Sequence, residues 1–478
     1  MNNRRQFIQT AAVLGTGLLL QPSGAFARGS NRFDSKRPPL ADRKFTSKAV
    51  EDRIVQYKKL IADPEIAWLF ENCFPNTLDT TVDFGIIDGK PDTYVITGDI
   101  DAMWLRDSTA QVWPYLSLCV GDPHLGELIR GVINRQVTCI RRDPYANAFY
   151  KDEHKVSEWK TDLTQMSPGV HERKWEIDSL CYPVRLAYRY WQLSGDTTPF
   201  DRAWEESIEL IVRTFREQQR KTGPGPYSFQ RTTAFATDTV PLGGYGYPVN
   251  PVGLICSMFR PSDDATIFPF LVPSNFFAVV SLQNAGALVK AARDNNRLAN
   301  DCADLATEID HALQQYATAR HPQFGDLYAY EVNGLGSYNL MDDANVPSLL
   351  SLPYLGAKPL GDPVYGNTRR FVLSNSNPFF FKGAAAEGIG GPHAGIDRIW
   401  PLSILMRGMT SEDPAEIQKC LSMLKKANAG TGLMHESFHK NDVNDFTRKW
   451  FAWANTLFGE FILNIQQTHP AILQLASL

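Results

Sequence analysis

The feature that most constrains this chain is a recurring helical hairpin. In RLANDCADLATEIDHALQQY, Leu298, Cys302, Leu305, Ile309 and Leu313 return every three or four residues and form one apolar stripe. The preceding SNFFAVVSLQNAGALVKAARDNN has the same character, with Ser274 as its expected N-cap, and a short polar turn joins the two. DSLCYPVRLAYRYWQLSGDTTPFDRAWEESIELIVRTFREQQR repeats the device. One helix should end near Gly195, and the next should be capped by Thr198 and begin at Pro199. Further helices are expected at 46–73, 107–120, 123–141, 398–409, 412–428 and 449–467, with shorter ones at 345–353 and 367–374. That makes about ten to twelve helices, an all-α chain in which each stripe is buried by packing hairpin against hairpin. No alternation of strands and helices with a G-x-G-x-x-G turn appears, which excludes a nucleotide-binding sheet.

Between the hairpins lie long irregular stretches at 92–107, 222–273 and 377–397, rich in Trp, Asp, Arg and His. Loops of that length in a compact domain usually carry function. At the N-terminus, Arg4, Arg5 and Phe7 precede the apolar run AAVLGTGLLL and then Ala25-Phe26-Ala27, which reads as a twin-arginine signal peptide over 1–27. The apolar run is too short to span a bilayer, so no stable membrane insertion is expected after cleavage, and the mature protein should be exported or periplasmic. Residues 28–45, rich in Arg, Lys, Pro and Ser, read as a linker, and 46–478 as one domain. A net charge of −4 gives no basic footprint for nucleic acid. The seven cysteines are scattered and never in C-x-x-C spacing, which favours buried free thiols over a disulfide framework.

Four clusters in the loops suggest chemistry. In ITGDIDAMWLRDSTAQVWPY, Asp99, Asp101, Arg106 and Asp107 crowd around Trp104. Asp107 or Ser108 could cap the following helix. Equally, carboxylates and an arginine can hold sugar hydroxyls while an indole covers the apolar face of the ring. In KWEIDSLCYPV, Asp178 is either a helix N-cap or a substrate contact, close to Trp175 and Glu176. In SMFRPSDDATIFPFLVPSNFF, the adjacent carboxyls of Asp263 and Asp264 sit between apolar stretches, so either Arg260 pairs with one or one stays protonated. A protonated carboxyl is what a general acid must be near neutral pH. GIGGPHAGIDRIWPLSILMRGM makes a tight glycine loop presenting His393, followed by Asp397 and Arg398, but it lacks the Lys and Ser/Thr of a P-loop.

A fifth stretch, GTGLMHESFHKNDVNDF, satisfies the zinc-protease pattern H-E-x-x-H through His435, Glu436 and His439, with Glu460 downstream as a conceivable third ligand. The flanking Gly430-Thr431-Gly432 and the polar run after His439 are poor helix context, and metal ligands need apolar support that is missing here. Glu436 is then available for other acid/base work, with His435 beside it.

Together, ITGDIDAMWLRDSTAQVWPY, FRPSDDA, GGPHAGIDRIWP and HESF…FTRKWFAWANTLFGE resemble glycoside hydrolase family 125, bacterial and fungal exo-α-1,6-mannosidases, over essentially the whole mature chain. The resemblance implies an (α/α)6 toroid, no metal or other cofactor, and an inverting mechanism. It places the general acid in RPSDD, on Asp263 with Asp264 as the neighbouring candidate, and the general base on Glu436. Trp104, Arg106, Asp107, Asp178, Asp264, His393, Arg398 and His435 become the expected substrate contacts, and the partner is a mannose-containing oligosaccharide. Inversion needs room for a water molecule, so the two catalytic carboxyls should lie about 6.5–9.5 Å apart. An α-glucosidase of the same fold and a carbohydrate-binding protein without activity are the competing readings.

Overall fold

A computed structural model describes residues 33–477. The expected signal peptide at 1–27 therefore lies outside the described residues. The chain is mostly helical, and twelve helices of eight residues or more occur among the described residues. They are α1 (Lys48–Leu60), α2 (Pro64–Cys73), α3 (Leu105–Val112), α4 (Pro123–Arg142), α5 (Ile177–Ser194), α6 (Arg202–Gln218), α7 (Val272–Arg293), α8 (Asn296–Tyr316), α9 (Pro363–Val372), α10 (Pro401–Met409), α11 (Pro414–Ala427) and α12 (Ala452–Thr468).

The hairpins pack as their stripes demand. Helix α7 lies along α8, α10 along α11, α4 against α5 and α6, and α2 against α12. One member of each pair also touches its counterpart in the next pair, so that α10, α12, α3, α5 and α7 form a continuous series. Between α7 and α10 a helix was expected at 345–353, but this segment runs in turns. The Tyr182 hydroxyl donates to Val346 O at 2.9 Å, and Arg185 reaches Tyr354 O at 3.2 Å. The Asp342 carboxylate accepts the amides of Leu349 and Leu350, tying the chain into a turn at the point where a helix would begin.

Helix starts differ from the expected caps, in one case because aspartate is a better cap than threonine and in another because the helix begins earlier without a side-chain cap. Asp201, not Thr198, caps α6 by accepting from Trp204 N. Helix α7 begins at Val272, with Pro273 in its first turn and no side-chain cap, so Ser274 lies inside it. The 46–73 stretch is two helices, because Asp63 caps α2 and Pro64 starts it. Gly195 does end α5, at φ 68°.

Part of the expected linker is attached to the body. Arg37 is buried between Asp79, at 2.7 Å from its Nε, and Glu51. Trp68 Nε1 donates to Asp34 O, and Asn72 accepts from Lys36 N. Residues 33–45 are thus a strap laid along α1 and α2, held by a charge pair that burial makes sensitive to the loss of either partner. All seven cysteines are free and buried. No helix among the described residues is long and apolar enough to cross a membrane.

The long loops contain short antiparallel ladders. Met103–Trp104, Ala148–Phe149 and Val170–Glu172 make one three-stranded sheet, and Arg398–Ile399, Ser437–His439 and Asp442–Thr447 make another. The first sheet leads into α3 and the second lies just ahead of α12, two neighbours in the helix series.

Candidate active site

The acidic loop 260–264 is held from several sides. Asp263 N donates to Arg260 O, and Arg260 N to Asp264 O, closing a tight turn. Asp263 takes φ 69°, a left-handed conformation that aspartate tolerates better than most residues. Ser262 Oγ donates to Asp343 at 2.8 Å, and Lys174 Nζ donates to Asp263 O at 2.9 Å. Arg260 does not pair with either aspartate of the loop. Its Nε binds buried Glu331 at 2.7 Å, whose other oxygen accepts from Ile267 N, Phe268 N and Asn339.

The turn points the Asp263 carboxyl toward Arg106, with Oδ1 at 3.5 Å from Nη2. The Arg106 guanidinium also meets Glu176 at 2.7 Å, Asp178 at 3.0 Å and Asp107 at 3.6 Å. Burial lowers the Arg106 pKa, but these four carboxyls outweigh it and hold the pKa above the usual arginine value. Burial pushes Glu176 well above the usual carboxyl range and raises Asp178 too, and Arg106 pulls both back only in part. Asp178 is therefore no helix cap: α5 has Glu176 at its N-cap position without a side-chain cap bond, and Asp178 turns inward to Arg106. Likewise neither Asp107 nor Ser108 caps α3, since Trp104 stands at that position and Ser108 bonds back to Leu105 O.

Glu436 stands opposite on a differently built wall. It immediately precedes the strand Ser437–His439, in which Phe438 pairs with Ile399 on one side and Phe446 on the other. Upstream, Gly432 has φ 81°, and a Cβ there would lie 2.7 Å from the Trp68 ring, so the turn needs glycine for conformation and for space. Thr447 Oγ1 donates to Glu436 Oε2 at 3.1 Å, and Arg448 Nη1 lies 3.3 Å from Oε1. Arg448 also donates to Thr97 O and to Asp99, and lies over the Phe451 ring at 4.9 Å. The first and last motifs of the sequence are thereby tied together across the site.

Both walls line one pocket. Of the residues singled out in the sequence, Trp104, Arg106, Asp107, Asp263, His393 and Glu436 line it. Four do not. Asp178 lies behind Arg106, with no side-chain exposure. Asp264 is 1% exposed, its Oδ1 3.8 Å from His393 Nδ1, so it stands behind a lining residue. Arg398 is drawn into the sheet, where it pairs with His439 and binds Asp445 at 2.7 Å. His435 points away: its ring stacks on Phe446 at 3.7 Å, and Nδ1 lies 3.1 Å from Arg448 O.

The zinc pattern does not converge either. His439 Nδ1 accepts from Asn441 N at 3.3 Å, and Glu460 is taken by the Tyr354 hydroxyl at 3.0 Å. No group of three or more His, Cys, Asp or Glu among the described residues could hold a metal ion. Sequence reasoning did not single out Asn345, Trp400, Arg448, Phe451 and Trp453, which also line the pocket. Arg448, Phe451 and Trp453 lie within FTRKWFAWANTLFGE, where an arginine among aromatics was a legible signal. Asn345, set by Asp343 through two hydrogen bonds, carried none.

Comparison with known proteins shows the family to which the chain belongs. The family model described as metal-independent alpha-mannosidase (GH125) matches residues 63–463. The meiotically up-regulated gene 157 protein of Schizosaccharomyces pombe is 41% identical over 466 residues, covering 94% of this chain and 91% of its own length. A Streptococcus pneumoniae metal-independent α-mannosidase, solved in a non-productive complex with α-1,6-mannobiose, is 39% identical with a TM-score of 0.85. That match covers 89% of this chain and 99% of the other.

Proposed function

The chain belongs to glycoside hydrolase family 125, the metal-independent α-mannosidases, and we propose that it is an inverting exo-enzyme that removes terminal α-1,6-linked mannose from glycans. The observation that carries this reading is the pair of carboxyls, Asp263 and Glu436, on the walls of one small pocket. Asp263 is the general acid that protonates the glycosidic oxygen as the bond breaks. Glu436 is the general base, taking a proton from the water that attacks the opposite face of an oxocarbenium-like carbon. Thr447 and Arg448 orient its carboxylate toward that water. Trp104, Trp400, Phe451 and Trp453 offer apolar faces to the sugar ring, while Arg106, Asp107, Asn345 and His393 supply polar contacts to its hydroxyls. Asp178, Asp264, Arg398 and His435 act at one remove, through the partners already described.

In this reading the helices close into an (α/α)6 toroid. Helices α3, α5, α7, α10 and α12 form the inner ring, and the turns of 341–357 stand in the sixth place. One catalytic domain spans 46–478, and a twin-arginine signal carries the folded protein to the periplasm or beyond. The α-1,6 linkage is supported by the disaccharide bound to the S. pneumoniae relative. Following digestion of α-1,6-mannobiose by NMR tests linkage and stereochemistry together. β-Mannose should appear first, before mutarotation. Initial α-mannose would overturn inversion, and hydrolysis of glucosyl but not mannosyl disaccharides would overturn the substrate. EDTA should leave the rate unchanged, whereas loss of activity restored by zinc would overturn the mechanism.

A further inference from the structure

Behind the pocket, one guanidinium serves four carboxyls. Arg106 lies within 3.6 Å of Glu176, Asp178, Asp107 and Asp263, and Glu176 and Asp178 have no side-chain exposure. Were Glu176 and Asp178 both ionised, two negative charges would share one guanidinium nitrogen in a space closed to water, which the low-dielectric interior does not tolerate. Lys174, beside the acidic loop, is committed elsewhere: it is held by Asp238 at 2.7 Å and spends a further donor on Asp263 O. Glu176 and Asp178 both accept from the same Arg106 Nη1, so they are close neighbours of like charge. Glu176 also accepts from Ser179 Oγ at 2.8 Å, and one oxygen of each carboxyl is buried without a hydrogen-bond partner.

We propose that the Glu176–Asp178 pair holds one proton in the working enzyme, residing on Glu176, and that Glu176 is thereby a positioning residue for the general acid. With that proton in place, Arg106 keeps its hold on Asp263 without a further negative charge beside it. The charged groups facing the pair are Arg106 and Asp107 from α3 and Asp263 from the acidic loop, and Cys181 and Tyr182 are the titratable groups next along α5. The inference rests on the assignment of Asp263 as the acid.

The test compares Glu176→Ala and Glu176→Gln. Glu176→Ala should lower kcat/KM on α-1,6-mannobiose by about 100-fold by freeing Arg106, and Glu176→Gln, which copies the neutral acid, should restore it to within about threefold of wild type. The basic limb of the Glu176→Gln pH–rate profile should coincide with that of wild type. A limb displaced in Glu176→Gln would overturn the proposal, because it would mean that a charge had been removed. A readout independent of activity is the infrared carbonyl band of a buried protonated carboxylic acid. It should appear in the wild-type minus Glu176→Gln difference spectrum at pH 7, and its absence there would equally overturn the proposal. Because the band needs no turnover, a protein inactive on mannosides that still shows it would refute the functional reading while leaving the proton store intact.

Discussion

The two walls of the pocket set their carboxyls in opposite electrical surroundings. On the Asp263 side four acids share Arg106, and burial raises the pKa of Glu176 and Asp178 behind it. On the Glu436 side a single carboxylate receives two donors, one of them the cation of Arg448. In the proposed mechanism the first surrounding holds the acid and the second the base. A division of two carboxyls between proton-rich and donor-rich settings is how acid and base roles separate at one pH. The comparison also shows that charge counts matter more than residue type, since both walls are built from Asp, Glu and Arg.

Removing the base should have the largest effect. Glu436→Gln keeps the shape and the Thr447 contact, so kcat should fall by about 1000-fold or more while α-1,6-mannobiose still binds, as calorimetry would record. If kcat survives, the two walls do not divide the chemistry as described. Arg448→Met comes next. It strips the charged donor from Glu436 and leaves Asp99 without it, and kcat should fall by about 100-fold with a smaller change in KM. A change in KM alone would mean that Arg448 binds sugar rather than orienting the base.

Thr447→Val tests the weaker donor. Losing one hydrogen bond of about 1 kcal/mol should lower kcat about fivefold. An unchanged rate would show that Arg448 alone sets the carboxylate.

The smallest effect is a control away from both walls. Burial raises Glu460 on α12 to about 7, against the pull of Arg185 and the Tyr354 hydroxyl. Because the folded pKa exceeds the unfolded value of 4.5, the native state keeps a proton that the unfolded chain has lost. Stability from this group therefore falls as pH rises from 4.5 through 7. In Glu460→Gln, Tm should decline less between pH 5 and 8 than in wild type, with kcat unaltered. A rate that changed with it would extend the catalytic machinery to Glu460.

The helices were legible because their stripes are long and regular: α8 follows the spacing of Leu298, Cys302, Leu305 and Ile309. Their ends were less so, since Asp201 sits only three residues beyond Thr198 and caps a helix that starts later, through Trp204 N. The segment 345–353 failed as a helix because Asp342, eight residues before Leu350, captures amides at long range, which no local period reveals. The candidate site divides in the same way. Arg106, Asp263 and Glu436 stood out as polar groups in apolar or glycine-rich settings. Arg398 and His435 looked equivalent to them, yet strand pairing and ring stacking turn them aside. Side-chain direction in short strands depends on a register set by partners some forty residues away, Arg398 opposite His439 being the example.

The strap of residues 33–45 bears on how this chain can be shortened or extended. Arg37 links Asp79 and Glu51, and Asp34 caps the indole of Trp68, the same ring that fills the space beside Gly432 and so backs the turn leading to Glu436. A fusion partner or affinity tag therefore belongs ahead of Phe33. Trimming to the first helix, although it removes no pocket residue, would take away the outer brace of the wall that holds Glu436.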